Sequence, residues 1–267
     1  MIQVHTQPPG KPKLYIINTW HSGDALLTRP MIASLRQQFD LTLECTAQSA
    51  YLWADLGLPV FPGQPNNPSH DSPLRPRDAH GVNLWFGTYP DILHTFGMTI
   101  VCQAHTFNRR MQELQLPWKF AIPTAPPPVD FAPLQPEVPI KPNSILVENG
   151  PANSNQSTFD LNSCVPQLAA DFPQINFYCA SPPPVAAPNV FDLSKCNLVQ
   201  LSHAGDKCAA FITRGSGVSA ACYTSASMFK PRCILGWTYG MIIWHNQAAM
   251  LNSYAEIREF VKKALRL

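Results

Sequence analysis

With 267 residues, a net charge of +2 and only 13% charged residues, the chain is long enough for one large domain or two average ones but is not strongly basic. The weak net charge excludes tight binding to polyanions through charge alone. No run of about 18 apolar residues occurs, which excludes a membrane-spanning helix.

The N-terminal residues and the cysteines both favour a cytoplasmic location. Residues 1–13 lack the apolar core of a signal peptide and are expected to form a flexible leader. The eight cysteines form no C-x-x-C pair and no zinc spacing with histidine, and several lie in apolar runs, as Cys179 does in NFYCA. We therefore expect a cytoplasmic protein with reduced, buried cysteines and no metal site.

The first structured stretch, residues 14–39, combines an apolar strand, a polar loop and a helix. The strand covers residues 14–17, and the loop covers residues 18–24 with its only glycine at Gly23. The helical part repeats an apolar residue at every fourth position, at Leu27, Met31, Leu35 and Phe39. Strand, glycine loop and helix together predict the start of an open α/β sheet, in which ligands bind at the carboxyl ends of the strands.

Further short elements alternate along the first half. Strands are predicted at residues 41–45, 60–61 and 82–86, and helices at residues 49–56, 89–97 and 109–114. This order predicts a parallel, right-handed β-α-β arrangement. The loop at residues 62–81 is too long for a plain connector, so we expect it to be functional or mobile.

A proline-rich segment separates the two halves of the chain. Residues 121–143 contain eight prolines, which exclude a helix and a central strand and favour a semi-rigid extended linker. We therefore predict an N-terminal Rossmann-like domain at 1–125, a linker at 126–143 and a C-terminal Rossmann-like domain at 144–267.

The second half repeats the alternation of the first. Strands are predicted at residues 144–148, 175–179, 190–193, 209–213 and 232–235, and helices at residues 161–172, 198–208, 219–229 and 254–265. The fold class predicted for the chain is therefore α/β, with two such halves.

Gly23 and Asp24 form the first candidate site. Gly23 allows a ligand to approach the backbone closely, and Asp24 lies where the helix begins, in a position suited to a general base on an acceptor hydroxyl. His21 and Ser22 lie in the same loop. The alternative role of Asp24 is that of a helix N-cap, whose carboxylate satisfies free amide groups.

A glycine turn in the second half forms the second candidate site. Arg214, Gly215, Ser216 and Gly217 lie between a predicted strand and a helix that includes Ser219, where backbone amides suit phosphate oxygens. The Gly-Lys-Ser/Thr of a Walker loop is absent, and so is the spacing of a G-x-S-x-G nucleophile elbow. The alternative is an ordinary tight turn.

A polar loop after the strand at 144–148 forms the third candidate site. It contains Gly150, Asn155 and Ser157, and its side chains suit hydrogen bonds to a sugar or a phosphate. Solvation of a plain loop is the alternative.

The stretch LYIINTWHSGDALLTRPMIASLRQQF resembles the amino-terminal signature of glycosyltransferase family 9, the bacterial heptosyltransferases. The segments ILVENGPANSNQSTFDL and AAFITRGSGVSAACYTSASMFKPRCILGW resemble, in the same order, the opening of the family's second domain and its donor-binding segment. The resemblance covers most of the chain in order, and its specific element is Gly23-Asp24.

The resemblance implies a GT-B architecture, with two Rossmann-like domains facing across a cleft and a final helix that packs back on the first domain. It further implies inverting sugar transfer from a nucleotide sugar, without a bound metal or other cofactor. Asp24 would be the catalytic base, and His21, Ser22 and Gly23 would lie on the acceptor side. The donor would meet Gly150, Asn155 and Ser157 and, at the glycine turn, Arg214, Gly215, Ser216, Gly217 and Ser219.

The chain also departs from the family pattern. Asn155-Gln156-Ser157 stands where the family has a basic residue, and no histidine follows the glycine turn at Arg214. A non-catalytic protein that binds a nucleotide sugar or a glycan therefore stays open as an alternative to a glycosyltransferase. A transferase acting on modified DNA bases is a third alternative, and the local basic residues available to it are Arg75, Arg77, Arg109 and Arg110.

Overall fold

The structure, a computed structural model, describes residues 10–96, 99–124, 127–134, 136–150, 157–236 and 248–267. The chain divides into two compact units, Met1–Pro123 and Thr124–Leu267. Each unit contains one β-sheet whose strands are all parallel.

The first unit is built on a four-stranded sheet. Its elements are β1 (Lys13–Asn18), α1 (Ser22–Leu35), β2 (Asp40–Cys45), β3 (Val60–Pro62), β4 (His80–Asn83), α2 (Pro90–Phe96) and α3 (Ile100–Glu113), with short 3₁₀ helices at Ala47–Leu56 and Phe86–Thr88. The strand order is β3-β2-β1-β4. Leu14, Tyr15, Ile16 and Ile17 of β1 are fully buried, because a central parallel strand is covered on both faces.

The order of the strands in the first sheet reverses beside β1. From β1 the chain proceeds outward to β2 and β3 on one side, and β4 pairs with β1 on the other. The point where the order reverses leaves a crevice at the carboxyl ends of the strands, where ligands of open α/β sheets bind. This topological switch point of the first unit therefore lies between β1 and β4.

The second unit is built on a six-stranded sheet. Its elements are β5 (Ser144–Val147), α4 (Val165–Asp171), β6 (Asn176–Cys179), β7 (Val190–Asp192), α5 (Leu198–Lys207), β8 (Ala210–Thr213), α6 (Gly217–Ala221), β9 (Arg232–Leu235), β10 (Ala249–Leu251) and α7 (Tyr254–Leu265). The strand order β10-β9-β8-β5-β6-β7 is that of a dinucleotide-binding Rossmann sheet. Its switch point lies between β5 and β8.

Two predicted helices differ most from the observed ones, and one observed strand was not predicted. α3 begins at Ile100, well before the predicted start at residue 109. The prediction missed its first part because the buried face includes polar Gln103 and Thr106, which weaken the apolar periodicity. The helix predicted at 219–229 is confined to Gly217–Ala221, and the hydroxyl of Ser227 bonds the carbonyl of Cys222 just beyond it. The short edge strand β10 was not predicted.

The proline-rich segment packs on the second unit. The backbone N–H of Val129 donates to the carbonyl of Tyr223 at 2.7 Å, and Ser225 Oγ donates to Asp130 at 2.6 Å. Lys207 forms an ion pair with Glu137. Residues 127–134 and 136–143 contain no helix or strand, which is the effect expected of their prolines.

The final helix α7 contributes to the hydrophobic core of the second unit. Ile257 and Val261 are fully buried there, and Tyr254 Oη donates to Asp171 at 3.0 Å. These contacts hold α7 in the second unit, and its packing on the first domain stays a prediction. No helix in the described part of the chain has the length and apolar character needed to cross a membrane.

Candidate active site

Asp24 lies in the first turn of α1, directly after the switch point of the first sheet. His21 is the N-cap residue, although its side chain forms no capping hydrogen bond, and Asp24 is the third residue of the helix, so Asp24 does not occupy the N-cap position. Burial raises the pKa of the Asp24 carboxyl to about 6, while the charge and the backbone N–H of His21 act in the opposite direction. A half-buried carboxyl with such a pKa is suited to accept a proton near neutral pH.

The other predicted residues of this turn differ in exposure. His21 is exposed, and Ser22 and Gly23 are half-buried. The hydroxyl of Ser22 lies 3.3 Å from the hydroxyl of Ser49, on the neighbouring 3₁₀ helix. The turn is therefore tied to that helix while it keeps polar atoms near solvent.

The long loop at residues 62–81 packs against the same edge of the first sheet. The backbone N–H groups of Asn66 and Asn67 donate to the carbonyl and the hydroxyl of Thr19, each at 3.0 Å. Asn83, at the end of β4, donates from Nδ2 to the carbonyls of Asn67 and Ser69 at 2.7 and 2.9 Å. The loop is thereby fastened over the carboxyl ends of β1 and β4.

Two tryptophans meet at this edge. Trp20 follows β1, Trp85 follows β4, and their rings stack with centroids 3.7 Å apart and planes 6° apart. Both are half-buried. Neither this pair nor Asn83 was predicted as part of the site, because the strand predicted at 82–86 placed Asn83 and Trp85 inside a strand, whereas β4 ends at Asn83.

The basic residues considered for DNA binding are mostly engaged within the first unit. Arg75 pairs with Asp71, Arg109 pairs with Asp91, and Arg110 donates to the carbonyl of Gly81 at 3.0 Å. Because these guanidinium groups hold the chain's own acceptors, they do not form a free basic face.

In the second unit, Glu148 lies at the end of β5 beside the glycine turn. Its carboxylate accepts hydrogen bonds from the backbone N–H of Arg214 at 2.8 Å and from the hydroxyl of Ser216. Burial raises the pKa of Glu148, and these hydrogen bonds oppose the rise. Glu148 was not predicted as a site residue, although an acidic residue at the end of an apolar strand marks the switch point of such a sheet.

The side chain of Arg214 joins the two ends of the polar loop after β5. It donates from Nη1 to the carbonyl of Gly150 at 2.6 Å and from Nη2 to the carbonyl of Ser157 at 2.8 Å. Ser157 is buried, and its hydroxyl donates to the carbonyl of Leu235 at 2.5 Å. Arg214 therefore links Gly150 to Ser157, the two described ends of the loop that the resemblance placed beside the donor.

The glycine turn presents backbone amides. Gly215 has φ of 75°, a conformation that favours glycine. In the described part of the chain, the backbone N–H groups of Gly215 and Gly217 have no hydrogen-bond partner, whereas that of Ser216 bonds the Glu148 carboxyl. Ser219 is fully buried, with its hydroxyl 3.4 Å from that of Thr213. The turn therefore offers two amides, while Ser219 supports it from within.

A cleft of about 390 Å³ opens beside this turn. It is lined by Asn149, Gly150, Thr158, Phe159, Asp160, Asn162, Ser181, Pro182 and Arg214. Asn149 bonds both Asn162 and Ser181, which joins the loops after β5 and β6. Of the predicted donor residues, Gly150 and Arg214 line the cleft, and Asn155 lies outside the described residues.

The predicted site residues therefore form two groups, one at the switch point of each sheet. His21, Ser22, Gly23 and Asp24 lie together in the first unit, and Gly150, Ser157, Arg214, Gly215, Ser216, Gly217 and Ser219 lie together in the second. No group of three histidine, cysteine, aspartate or glutamate residues suited to a metal occurs in the described part of the chain.

No model of a protein family matches the chain, and no curated protein matches it in sequence. Several solved structures, however, match it in fold. The E. coli heptosyltransferase WaaC, bound to ADP-2-deoxy-2-fluoro heptose, superimposes with a TM-score of 0.59 at 12% identity, over 94% of this chain and 99% of that one. A family 9 glycosyl transferase from Veillonella parvula gives 0.51 at 13% identity, over 96% and 89%.

A glycotransferase of kitacinnamycin gives a TM-score of 0.52 at 13% identity, over 96% of this chain and 91% of that one. The three structures cover both units of the chain, and all are glycosyltransferases by their descriptions. The predicted fold class is thereby confirmed: the chain has the GT-B fold and is similar in structure to a heptosyltransferase and to a glycosyltransferase of family 9.

Proposed function

We propose that the protein is a glycosyltransferase that moves a sugar from a nucleotide-diphosphate donor to an acceptor hydroxyl, with inversion and without a metal ion. The observation that carries the proposal is the half-buried carboxyl of Asp24, with a pKa of about 6, at the switch point of the first sheet. The similarity in fold to a heptosyltransferase bound to an ADP sugar supports the donor class.

Asp24 is assigned the role of general base. Its carboxylate takes the proton of the acceptor hydroxyl as the hydroxyl oxygen forms a bond to the anomeric carbon. The bond from that carbon to the diphosphate oxygen breaks in the same step, so the configuration inverts. The nucleoside diphosphate leaves with the electron pair of the broken bond.

The glycine turn is assigned the role of stabilising that leaving group. Two backbone amides that have no partner in the described part of the chain, those of Gly215 and Gly217, provide donors for phosphate oxygens. Protonation of the buried Glu148 would reduce repulsion toward the diphosphate, which agrees with the upward shift of its pKa.

A second candidate is a protein that binds a nucleotide sugar or a glycan without transferring it. The observation in its favour is that the Arg214 guanidinium already holds the carbonyls of Gly150 and Ser157. An arginine whose N–H groups already bond its own backbone keeps its charge but has fewer donors left for a diphosphate.

The test begins with thermal shift against nucleoside diphosphates and their sugars, with and without magnesium. We expect one nucleotide to raise the melting temperature without magnesium, because binding to the folded state stabilises it. Transfer is then measured with that donor for Asp24→Asn and for Asp40→Asn, which alters an exposed carboxyl at the opposite end of the sheet.

We expect Asp24→Asn to lose about 10²–10⁴ in transfer rate with donor binding unchanged, and Asp40→Asn to retain activity. Donor binding without any transfer in the wild type would establish the binding protein instead. Full activity of Asp24→Asn would remove Asp24 from the role of base.

A further inference from the structure

The stacked tryptophans at the end of the first sheet suggest what kind of acceptor the site takes. Trp20 lies four positions before Asp24, and Trp85 follows the neighbouring strand β4. Their rings are nearly parallel, with centroids 3.7 Å apart. The pair therefore stands at the switch point where the first unit would bind its ligand.

The backbone beside each ring is held by hydrogen bonds from outside the stack. The backbone N–H of Trp85 donates to Oδ1 of Asn83 at 2.9 Å, and Asn83 is fully buried. The residue before Trp20 is Thr19, which accepts two backbone hydrogen bonds from the long loop. The pair is therefore prepared before any ligand arrives, which lowers the entropy lost on binding.

Gly87 provides the space for the ring of Trp85. A Cβ atom at position 87 would lie 2.1 Å from that ring. Any larger residue would displace the indole, so the position of the stack depends on this glycine.

The stack also contains an unsatisfied donor. Among the described residues, Nε1 of Trp20 is buried and has no hydrogen-bond partner. A buried polar group without a partner is unfavourable, and a ligand oxygen that reached it would remove that penalty. The pair therefore combines aromatic surface with one donor, which is the combination that suits a hydroxylated ring.

We infer that Trp20 and Trp85 form an acceptor platform, on which a pyranose ring of the acceptor stacks so that one of its hydroxyl groups reaches Asp24. The C–H face of a pyranose is apolar and matches an indole surface, while its edge carries hydroxyl groups. The inference rests on the proposed function for the role of Asp24, but binding to the platform is measured separately from transfer.

The experiment uses saturation-transfer NMR with the full chain, irradiating the methyl protons of the protein in a region where none of the probes has a resonance. The probes are methyl α-mannopyranoside, the acyclic alditol mannitol, and benzyl alcohol. Benzyl alcohol tests whether the pair binds an aromatic ring rather than a sugar ring. The variants are Trp20→Leu, Trp85→Leu and the milder Trp85→Phe. Trp118→Leu is the control, because Trp118 contacts Phe39 just before β2, at the opposite end of the sheet.

We expect saturation to reach the pyranoside and not mannitol, and the signal to fall about 10-fold in both leucine variants but not in Trp118→Leu. Trp85→Phe is expected to retain part of the signal, and its melting temperature shows whether the unit is still folded. Four outcomes would overturn the inference. The pyranoside and mannitol could give equal signals, or only benzyl alcohol could give a signal. The wild type could give no pyranoside signal, or both leucine variants could retain it. Pyranoside binding through the pair without transfer would leave the inference standing and contradict the proposed enzyme.

Discussion

The carboxylate of Glu148 accepts a hydrogen bond of 2.8 Å from the backbone N–H of Arg214, across the switch point of the second sheet. It also accepts one from Ser216, so a buried acidic group and the glycine turn form one hydrogen-bonded unit. This contact links the strand that opens the second unit to the turn proposed to meet the diphosphate.

The burial of Glu148 makes the stability of the protein depend on pH. Its pKa is raised in the folded state above the ordinary value of 4.5, so the folded state binds more protons than the unfolded one as pH rises above 4.5. Stability therefore falls over that range. We expect Glu148→Gln to gain stability relative to the wild type between pH 4 and pH 7, as measured by denaturant unfolding. A difference that stays constant with pH would contradict this.

The ionised carboxyl of Asp24 is expected to lower the stability of the folded state. Its pKa rises from 3.8 to about 6 on folding, so the ionised carboxyl destabilises the folded state increasingly as pH rises from 3.8 to 6. Asp24→Asn should therefore be more stable than the wild type at pH 8, by about 1–3 kcal/mol. A role limited to capping α1 predicts the opposite, a loss of stability.

The same carboxyl predicts the pH dependence of transfer. If Asp24 is the base, kcat/KM of the wild type should rise with pH up to about 6 and then level off, since only the carboxylate accepts a proton. The measurement is an initial-rate profile at subsaturating acceptor. A rate that is flat from pH 4.5 to 8 would assign the proton transfer to another group.

Asn83 is expected to hold the long loop on the first sheet. Its side-chain amide forms hydrogen bonds with the backbone of Asn67, Ser69 and Trp85, and Asn83→Ala removes all three. We expect a loss of about 2–4 kcal/mol in unfolding free energy, together with faster hydrogen exchange at residues 66–72. Exchange that is unchanged in this segment would show that the loop is held by other contacts.

Gly87 is expected to be required for the tryptophan stack. Gly87→Ala places a Cβ against the ring of Trp85, whereas Gly10→Ala meets nothing within 4 Å and serves as the control. The exciton signal of stacked indoles in circular dichroism should weaken in the first variant only. An unchanged signal in Gly87→Ala would mean that the stack relaxes around the added methyl group.

Arg214 is expected to need its planar guanidinium. Arg214→Lys keeps the charge, but a single ammonium does not bridge the carbonyls of Gly150 and Ser157 as the guanidinium does. We expect a loss of about 1–3 kcal/mol by thermal or denaturant unfolding. Arg258→Lys, which alters a half-exposed ion pair with Asp171, should change stability by less than about 1 kcal/mol.

The sequence by itself determined the alternation of strands and helices and the two turns that carry the candidate site. β1 and β5 were predictable because a central parallel strand is a continuous apolar run, and Gly23-Asp24 and Gly215 were visible as polar or glycine-rich turns directly after such runs. α3 was underestimated because buried Gln103 and Thr106 interrupt its apolar face.

Only the tertiary structure decided which of these turns share an edge and what their side chains contact. Glu148 and Arg214 are 66 residues apart, and they meet because β5 pairs with β8. Trp20 and Trp85 stack because β1 pairs with β4. A pattern of apolar residues specifies that a segment is a buried strand but not which strand lies beside it, since any buried parallel strand offers the same backbone hydrogen bonds.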